Sequence, residues 1–266
     1  MISLKILDPD KTLTTLITFL NSLSQGERLG FFVAQNVGVL IGALAFGWLI
    51  IAILPGHRIA PKAPPVDRLE VGLAACTVVL NAVITAVGYE LYRRGVVTFR
   101  IGVDLRSLLD LFVLLVGMDF AMYWLHRSAH IRWLYFIHRP HHRYVKPRPL
   151  DLFVLSPLET LSFGGLWLLF LVVTSPSWIS VVAYLTLNVF FGVLGHTGVE
   201  LLPPAWTQKP VLRWFGTSLF HAGHHADEHH NFGFYTVLWD KLFGTYAEHR
   251  LVDPVSTGRT NGESVY

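Results

Sequence analysis

An apolar run without a single charged residue, Phe31 to Leu54, constrains this chain more than any other feature. The run exceeds the roughly 20 residues that a helix needs to cross a bilayer. Hydrocarbon offers no water to backbone N–H and C=O groups, so such a segment must satisfy them internally as a helix. Comparable runs follow at Val71–Gly88, Leu152–Thr174 and Trp178–Leu194, with a shorter one at Leu111–Leu125. The sequence therefore predicts an all-α integral membrane bundle with four or five transmembrane helices.

The composition agrees with a membrane protein. Apolar residues make up 52% of the 266 residues and charged residues only 15%, against roughly 25% charged in soluble domains. A formal charge of +3 is too small to indicate nucleic acid as a partner, and we predict none. The single cysteine, Cys76, excludes an intrachain disulfide and a thiolate cluster.

The N-terminal residues 1–29 show no cationic segment followed by a short apolar stretch and a cleavage site. We therefore expect no signal peptide. Two interpretations of residues 11–21 stand at this stage, a short amphipathic helix on the membrane surface and an irregular terminus.

Histidines form three clusters with H-x3-H or H-x2-H-H spacing, and a further histidine follows the last apolar run. On a helix, residues three or four positions apart share one face, so each cluster can direct imidazoles at a common point. One tetrahedral ion takes four ligands, so this set fits two ions rather than one. The candidate metal ligands are His126, His130, His138, His141, His142, His196, His221, His224 and His225.

The order of the apolar runs places these clusters on one membrane side. The third run ends at the first cluster, the fourth begins after the second, and a tight turn at Pro176–Ser177 returns the fifth run to His196. The loop 127–149 is basic and contains no acid, which by the positive-inside rule makes this side cytoplasmic. The interval 93–106 is also basic, and this conflict leaves the span count at four or five. We expect a cytoplasmic histidine-rich helical cap on the bundle.

Asp119 lies within the third apolar run, where an acid is costly and marks function. Asp119, Tyr123, His126 and His130 fall along one helical face, so we expect the carboxylate to orient a metal-bound imidazole. The alternative is a structural ion pair with Arg127.

Four other histidines stand apart from the clusters. We interpret His57 and His249 as structural, whereas His229 and His230 are either surface residues beside Asp227 or the source of a tenth ligand.

The chemistry of the clusters points to a transition metal. Neutral imidazole suits zinc, copper, iron and nickel, and two redox-active irons at a membrane face could use dioxygen to attack an unactivated C–H bond of a lipid. The H-E-x-x-H of zinc proteases does not occur. The alternative is a metal-binding or metal-transporting membrane protein without oxygenase activity. A transporter should carry ionisable groups near the bilayer midplane, whereas these histidines cluster at helix ends.

The stretches DFAMYWLHRSAH, HRPHH and HAGHH, the last followed by NFG and WDKLFGTY, resemble the histidine boxes of the fatty acid hydroxylase/sterol desaturase superfamily. The resemblance covers roughly residues 110–250, and HRPHHRYVKPRPLDLFVLSPLE is most similar to sterol C5-desaturases. We accordingly divide the chain into an N-terminal membrane region with two spans, 1–109, a histidine-box domain, 110–250, and a short tail, 251–266.

The resemblance implies an oxidoreductase with two iron ions and dioxygen as co-substrate. Electrons would come from NAD(P)H through a separate cytochrome b5- or ferredoxin-like carrier, and the basic loop would suit an acidic one. The nine clustered histidines would be the ligands, and Asp119, Asn231 and Asp240 would be supporting groups. No residue distinguishes desaturation from hydroxylation.

Two positions depart from the family pattern. Serine stands at Ser156–Pro157, where many members carry histidine before the proline. Glu200 follows His196 by four residues, where some members carry another histidine, and a carboxylate ligand there is a further alternative.

Overall fold

The structure, a computed structural model, describes residues 9–203 and 209–248, which form helices and no named strand. The α-helices of these residues are α1 (Pro9–Ser22), α2 (Gln25–Ile53), α3 (Arg68–Arg93), α4 (Leu105–Ala129), α5 (Tyr135–His142), α6 (Pro157–Thr174), α7 (Trp178–Gly195), α8 (Ser218–Ala226) and α9 (Leu238–Leu242). Short 3-10 turns cover Pro55–His57, Pro149–Phe153 and Leu212–Trp214. The predicted all-α fold is confirmed, while His249 and the tail 251–266 lie outside the described residues.

Five of these helices, α2, α3, α4, α6 and α7, are long and apolar enough to cross a membrane. The chain is thus a multi-pass helical membrane protein, at the upper value of the predicted span count. The short third run, Leu111–Leu125, is part of one continuous helix, Leu105–Ala129. It therefore extends beyond its apolar part and carries the first histidines to the end of the bundle.

Capping boxes fix where the spanning helices begin. Ser24 accepts from Glu27 N, and the Glu27 carboxylate accepts from Ser24 N at 2.8 Å, which satisfies two otherwise unpaired donors. Ser156 and Glu159 do the same at the start of α6. Similar boxes open α3 at Asp67 and α4 at Asp104.

Small residues allow the helices to approach closely. A Cβ built at Gly47 on α2 would lie 2.5 Å from Pro149 Cγ and 3.1 Å from Val193 on α7. Gly164 on α6 is covered by Ile84 of α3 in the same way. Packing of this kind, rather than a hydrophobic driving force, holds helices together in lipid.

Of the two interpretations of residues 11–21, the structure favours a helix over an irregular terminus, because α1 covers the whole of 11–21. Its Leu13 and Leu20 are buried, and it contacts α7. The Arg28 guanidinium donates to the carbonyls of Leu20 and Leu23 and thereby fixes the turn into α2. Its position at the membrane surface stays a prediction.

The proline-rich segment after α5 is anchored by buried charges. Arg148 Nε lies 3.0 Å from Glu70 Oε1, and Tyr144 donates to Asp67 at 3.1 Å. Burial raises the pKa of Asp151 to about 7, since its carboxyl is desolvated beside Glu70. The segment is thereby held against the start of α3. This position brings Val154 next to His141 and Glu159 next to His138.

Candidate metal centre

The nine clustered histidines come together in two groups at one end of the bundle, and within each group the ligand atoms lie within 4.8 Å of one another. Group one contains His126, His130, His138, His142 and His224, and group two contains His141, His196, His221 and His225. These are the nine that the spacing singled out, although their role as ligands stays a prediction.

Two short helices each serve both groups. On α5, His138 and His142 are one turn apart and face group one, whereas His141 faces group two. On α8, His221 and His225 face group two and His224 faces group one. We expected the H-x2-H-H spacing to direct its three imidazoles at one point. The structure instead divides them between the two groups.

Hydrogen bonds to backbone carbonyls fix the tautomers of two imidazoles in group one. His126 Nδ1 lies 2.9 Å from Phe232 O, and His224 Nδ1 lies 2.7 Å from His230 O. A carbonyl only accepts, so both Nδ1 atoms carry the proton and both Nε2 atoms carry a lone pair.

The Nε2 atoms of group one converge, and those of His126 and His224 have no proton to share. His138 Nε2 lies 2.9 Å from His126 Nε2 and 3.0 Å from His142 Nε2, and the latter lies 3.0 Å from His224 Nε2. Lone pairs that converge at this separation repel unless a cation lies among them. The donor set therefore fits a transition-metal ion.

Group two repeats this arrangement with backbone acceptors. His141 Nδ1 lies 3.2 Å from Val154 O, and His196 Nδ1 lies 2.8 Å from Gly192 O. Their Nε2 atoms are 3.4 Å apart, and His221 Nε2 lies 3.1 Å from those of His196 and His225. Four imidazoles with this convergence fit a second ion.

Burial keeps these imidazoles neutral. Desolvation lowers the pKa of His196 to about 4 and that of His142 to about 3. The same cause holds the pKa values of His141, His221 and His225 well below 6.5. Metal binding requires neutral imidazole, so both groups are in the competent protonation state at neutral pH.

Glu159 is the residue that sequence reasoning overlooked. Its side chain is buried, and its Oε1 lies 2.5 Å from His138 Nδ1. A carboxylate on the far nitrogen of an imidazole fixes its orientation and raises its basicity as a ligand. Two features of the sequence could have indicated Glu159. Ser156-x-x-Glu159 is a capping box, and an acid at the edge of an apolar run is unusual.

Asp240 and Asn231 hold the loop that supplies carbonyls to group one. Asp240 accepts from the backbone N–H groups of Phe232 and Gly233 at 2.8 and 2.7 Å. Asn231 has a left-handed φ of 63° and exchanges two hydrogen bonds with the backbone of Ala247. Both thus reach the histidines indirectly, through Phe232 O and His230 O, and their supporting role stays a prediction.

Asp119 links α4 to the C-terminal segment. It accepts from Tyr235 N, Thr236 Oγ1 and Trp239 Nε1 at 2.8, 2.6 and 3.0 Å. Arg127, its alternative partner, instead donates to the Tyr123 hydroxyl. Within the described ranges no histidine bonds to Asp119, so its influence on an imidazole stays a prediction.

The remaining candidates lie outside both groups. His229 and His230 bond to Asp227. The Glu200 carboxylate accepts from Leu219 N at 3.0 Å near the start of α8. The backbone carbonyl of Glu200 lies 3.1 Å from His57 Nδ1.

A cavity of about 610 Å³ extends from the histidines into the bundle. Its walls come from α2, α3, α4, α6 and α7 and are mainly apolar, with Met118, Met122 and Trp167 among them. Asn81 and Asn188 add amide groups. A mainly apolar cavity that ends at a potential metal centre is suited to an extended apolar ligand.

Fold and site together define a multi-pass helical membrane protein with two histidine groups at one end of an apolar cavity. The sequence profile of the fatty acid hydroxylase family matches residues 111–245, half of the chain, and the chain belongs to this family. The predicted resemblance is thereby confirmed, and the oxygenase interpretation is favoured over a metal transporter.

The chain is similar to several characterised proteins. It is 33% identical to a methylsterol monooxygenase of Aspergillus fumigatus over 54% of this chain and 49% of that protein, so it spans about half the length of this relative. It is 30% identical to a Delta(7)-sterol 5(6)-desaturase of Leptosphaeria maculans over 48% of this chain and 34% of that protein. A very-long-chain aldehyde decarbonylase of Oryza sativa subsp. indica is 27% identical over 88% of this chain and 90% of that protein. No solved structure matches the chain.

Proposed function

We propose that this protein is a membrane-bound non-haem di-iron oxidoreductase that uses dioxygen to hydroxylate or desaturate a C–H position of a lipid. The observation that carries the proposal is the convergence of two histidine groups at the inner end of an apolar cavity inside a membrane bundle. Family membership supports iron as the metal.

The two groups would hold one ion each, group one with five imidazoles and group two with four. When bound, the two irons supply the activation of dioxygen and the oxidation of the C–H bond. The residues of the chain orient the ligands. In group one, Phe232 O, His230 O and Glu159 contact the Nδ1 atoms of His126, His224 and His138. In group two, Val154 O and Gly192 O contact those of His141 and His196. Such outer contacts typically change metal affinity by about 10–100-fold.

The cavity would bind the lipid and exclude water from the site. Its apolar walls reach His126, His138, His141, His196 and His221 directly, so a bound chain meets the imidazoles of both groups. A dry site also protects reactive species from side reactions with solvent.

The histidine-bearing face would be cytoplasmic and would receive electrons from NAD(P)H through a separate acidic carrier of the cytochrome b5 or ferredoxin type. Arg132, Arg139, Arg143 and Lys146 are exposed on this face, which supports docking of an acidic partner. Arg148 is excluded from that surface, because it is buried against Glu70.

The names of the relatives set the range of substrates to test. Two are named for sterols, and the one matched over most of its length is named for very-long-chain aldehydes. Sterols, fatty acyl lipids and fatty aldehydes therefore belong in one screen.

The first experiment is the metal content per chain of protein from iron-replete cells. We expect about two irons per chain, lost in the His141→Ala/His142→Ala double variant because it removes one ligand from each group. His229→Ala, an exposed histidine outside both groups, is the matched control and should keep both irons. One tightly held zinc, or no metal after reconstitution with iron, would overturn the proposal.

A further inference from the structure

The residues that line the cavity differ sharply in exposure. Among those that the structure describes, the exposed ones are Gln35 and Gly42 on α2 and Leu185 and Thr186 on α7. The other lining residues are buried or half-buried. The cavity therefore reaches the outside of the bundle along one seam, between α2 and α7.

The seam between α2 and α3 is closed by buried side chains, because Ala43 of α2 lies in one cluster with Ala74 and Val78 of α3.

Two further seams are closed by packing at the level of the cavity. Ile84 of α3 covers Gly164 of α6, and Thr77 on α3 bonds to Thr160 on α6 at 3.2 Å. Phe170 of α6 covers Gly117 of α4 in the same way.

Helices α4 and α7 are closed against each other by buried side chains. Leu114 and Met118 on α4 and Val181 and Tyr184 on α7 belong to one buried cluster. This cluster closes the seam between α4 and α7.

Side chains close the seam between α2 and α7 toward the histidines, and α1, which leads into α2, also contacts α7. Phe46 and Phe190 pack there with ring centroids 5.6 Å apart, and Gly47 lies against Val193. About one turn or more farther from the histidines, the same two helices carry the four exposed lining residues.

We propose that this seam is a lateral window through which a lipid enters the cavity from the bilayer. Both flanking helices are long and apolar enough to cross a membrane, so the window opens to hydrocarbon rather than to water. The occupant is therefore a lipid with a long apolar body. The inference rests on the proposed function only in taking the cavity as the substrate site.

The position of the window sets a length for the lipid. Thr186 precedes His196 by ten residues, which is about 15 Å along a helix. A lipid that enters at Thr186 and reaches the imidazoles must insert about this length. The attacked carbon is then remote from whatever part of the molecule stays in the window.

The window can be blocked from α2 with a single substitution. A Cβ added at Gly42 meets no atom within 4 Å, so this position accepts a side chain, and we expect the indole of Gly42→Trp to fill the gap. Ile41→Trp is the matched control, because Ile41 is the neighbouring residue, is 61% exposed and does not line the cavity. Leu185→Trp, with Val182→Trp as its control, blocks the window independently from α7.

The readout is photolabelling in nanodiscs with two probes, palmitic acid and a sterol that each carry a diazirine, followed by mapping of the adducts on Met118 and Met122. We expect at least one probe to label these residues in the unaltered protein. The labelling should fall about tenfold in Gly42→Trp and Leu185→Trp, because the indole would occupy the path of the lipid. The two control variants should label like the unaltered protein.

Labelling needs neither metal nor turnover, so it separates this inference from the proposed function. An unreactive protein that labels through the window would contradict the oxygenase and leave the window intact. Equal labelling in the blocked and control variants, or no labelling of the cavity by either probe, would overturn the window.

Discussion

At the scale of single residues, the site depends on what each imidazole does with its outer nitrogen. Most of the histidines with a described Nδ1 contact in the two groups place this atom against a backbone carbonyl, whereas His138 places it against the buried Glu159 carboxylate at 2.5 Å. A negative charge there makes the ring a stronger ligand than a carbonyl does. Group one therefore has a buried carboxylate against one of its imidazoles, and its His142 Nδ1 lies 3.7 Å from the more exposed Glu228 carboxylate.

Replacement of Glu159 should weaken metal binding without unfolding α6. In Glu159→Gln the amide keeps the capping box but removes the charge next to His138, and we expect metal affinity at group one to fall by about 10–100-fold. Chelator titration of the iron-loaded protein measures this loss.

Ser156→Ala is the control for the helix cap, because it removes the Ser156 hydroxyl that accepts from Glu159 N and leaves the carboxylate in place. It should lower stability by about 1 kcal/mol and keep the affinity for iron. A Glu159→Gln protein that holds iron as tightly as the unaltered chain would show that the carboxylate only caps α6.

At the scale of helices, the bundle depends on glycines at the crossings. Gly164 and Gly165 are neighbours on α6, but only Gly164 is covered by a side chain of α3. The two positions form a matched pair in which helix propensity is equal and packing differs.

We expect Gly164→Ala to destabilise the protein by about 1–3 kcal/mol, since its Cβ would overlap the Ile84 side chain. Gly165→Ala, where nothing lies within 4 Å, should be neutral or stabilising. Thermal unfolding of both variants in one detergent measures the difference, and equal midpoints would contradict the proposed close crossing.

The helices themselves follow from the sequence more directly than the site does. Apolar runs of this length in lipid have no alternative to helix, and Ser24, Asp67 and Asp104 mark their starts. The division of H-x2-H-H between two groups could not be predicted, because it depends on how α5 and α8 lie between the spans. The hydrogen-bond partners of Asp119 could not be predicted either, because Tyr235 and Trp239 are more than a hundred residues away in sequence.

At the scale of the whole molecule, the buried imidazoles make the metal-free protein sensitive to acid. In the folded chain the pKa values of His196 and His142 are about 4 and about 3, whereas an unfolded chain titrates near 6.5. Below about pH 6.5 the unfolded state therefore binds more protons, and protonation favours it.

We expect the free energy of unfolding of the metal-free protein to be constant above about pH 7 and to fall below about pH 6.5, by up to about 1.4 kcal/mol per pH unit for each such histidine. Asp151, with its raised pKa of about 7, and Asp240, whose pKa is also raised by burial, act in the opposite direction, but the nine clustered histidines outnumber such carboxyl groups. Unfolding midpoints between pH 5 and 8 test this, and a midpoint that does not change with pH would contradict the neutral, buried state of the imidazoles.

The sharing of α5 and α8 between the two groups has a consequence for how the centre is built. An ion in either group restrains the same two short helices, so the ordering that the first ion requires need not be repeated for the second. The two sites for this reason form one assembly, because the backbone of α5 and α8 sets the distance between them. A change in the position of either helix alters both sites.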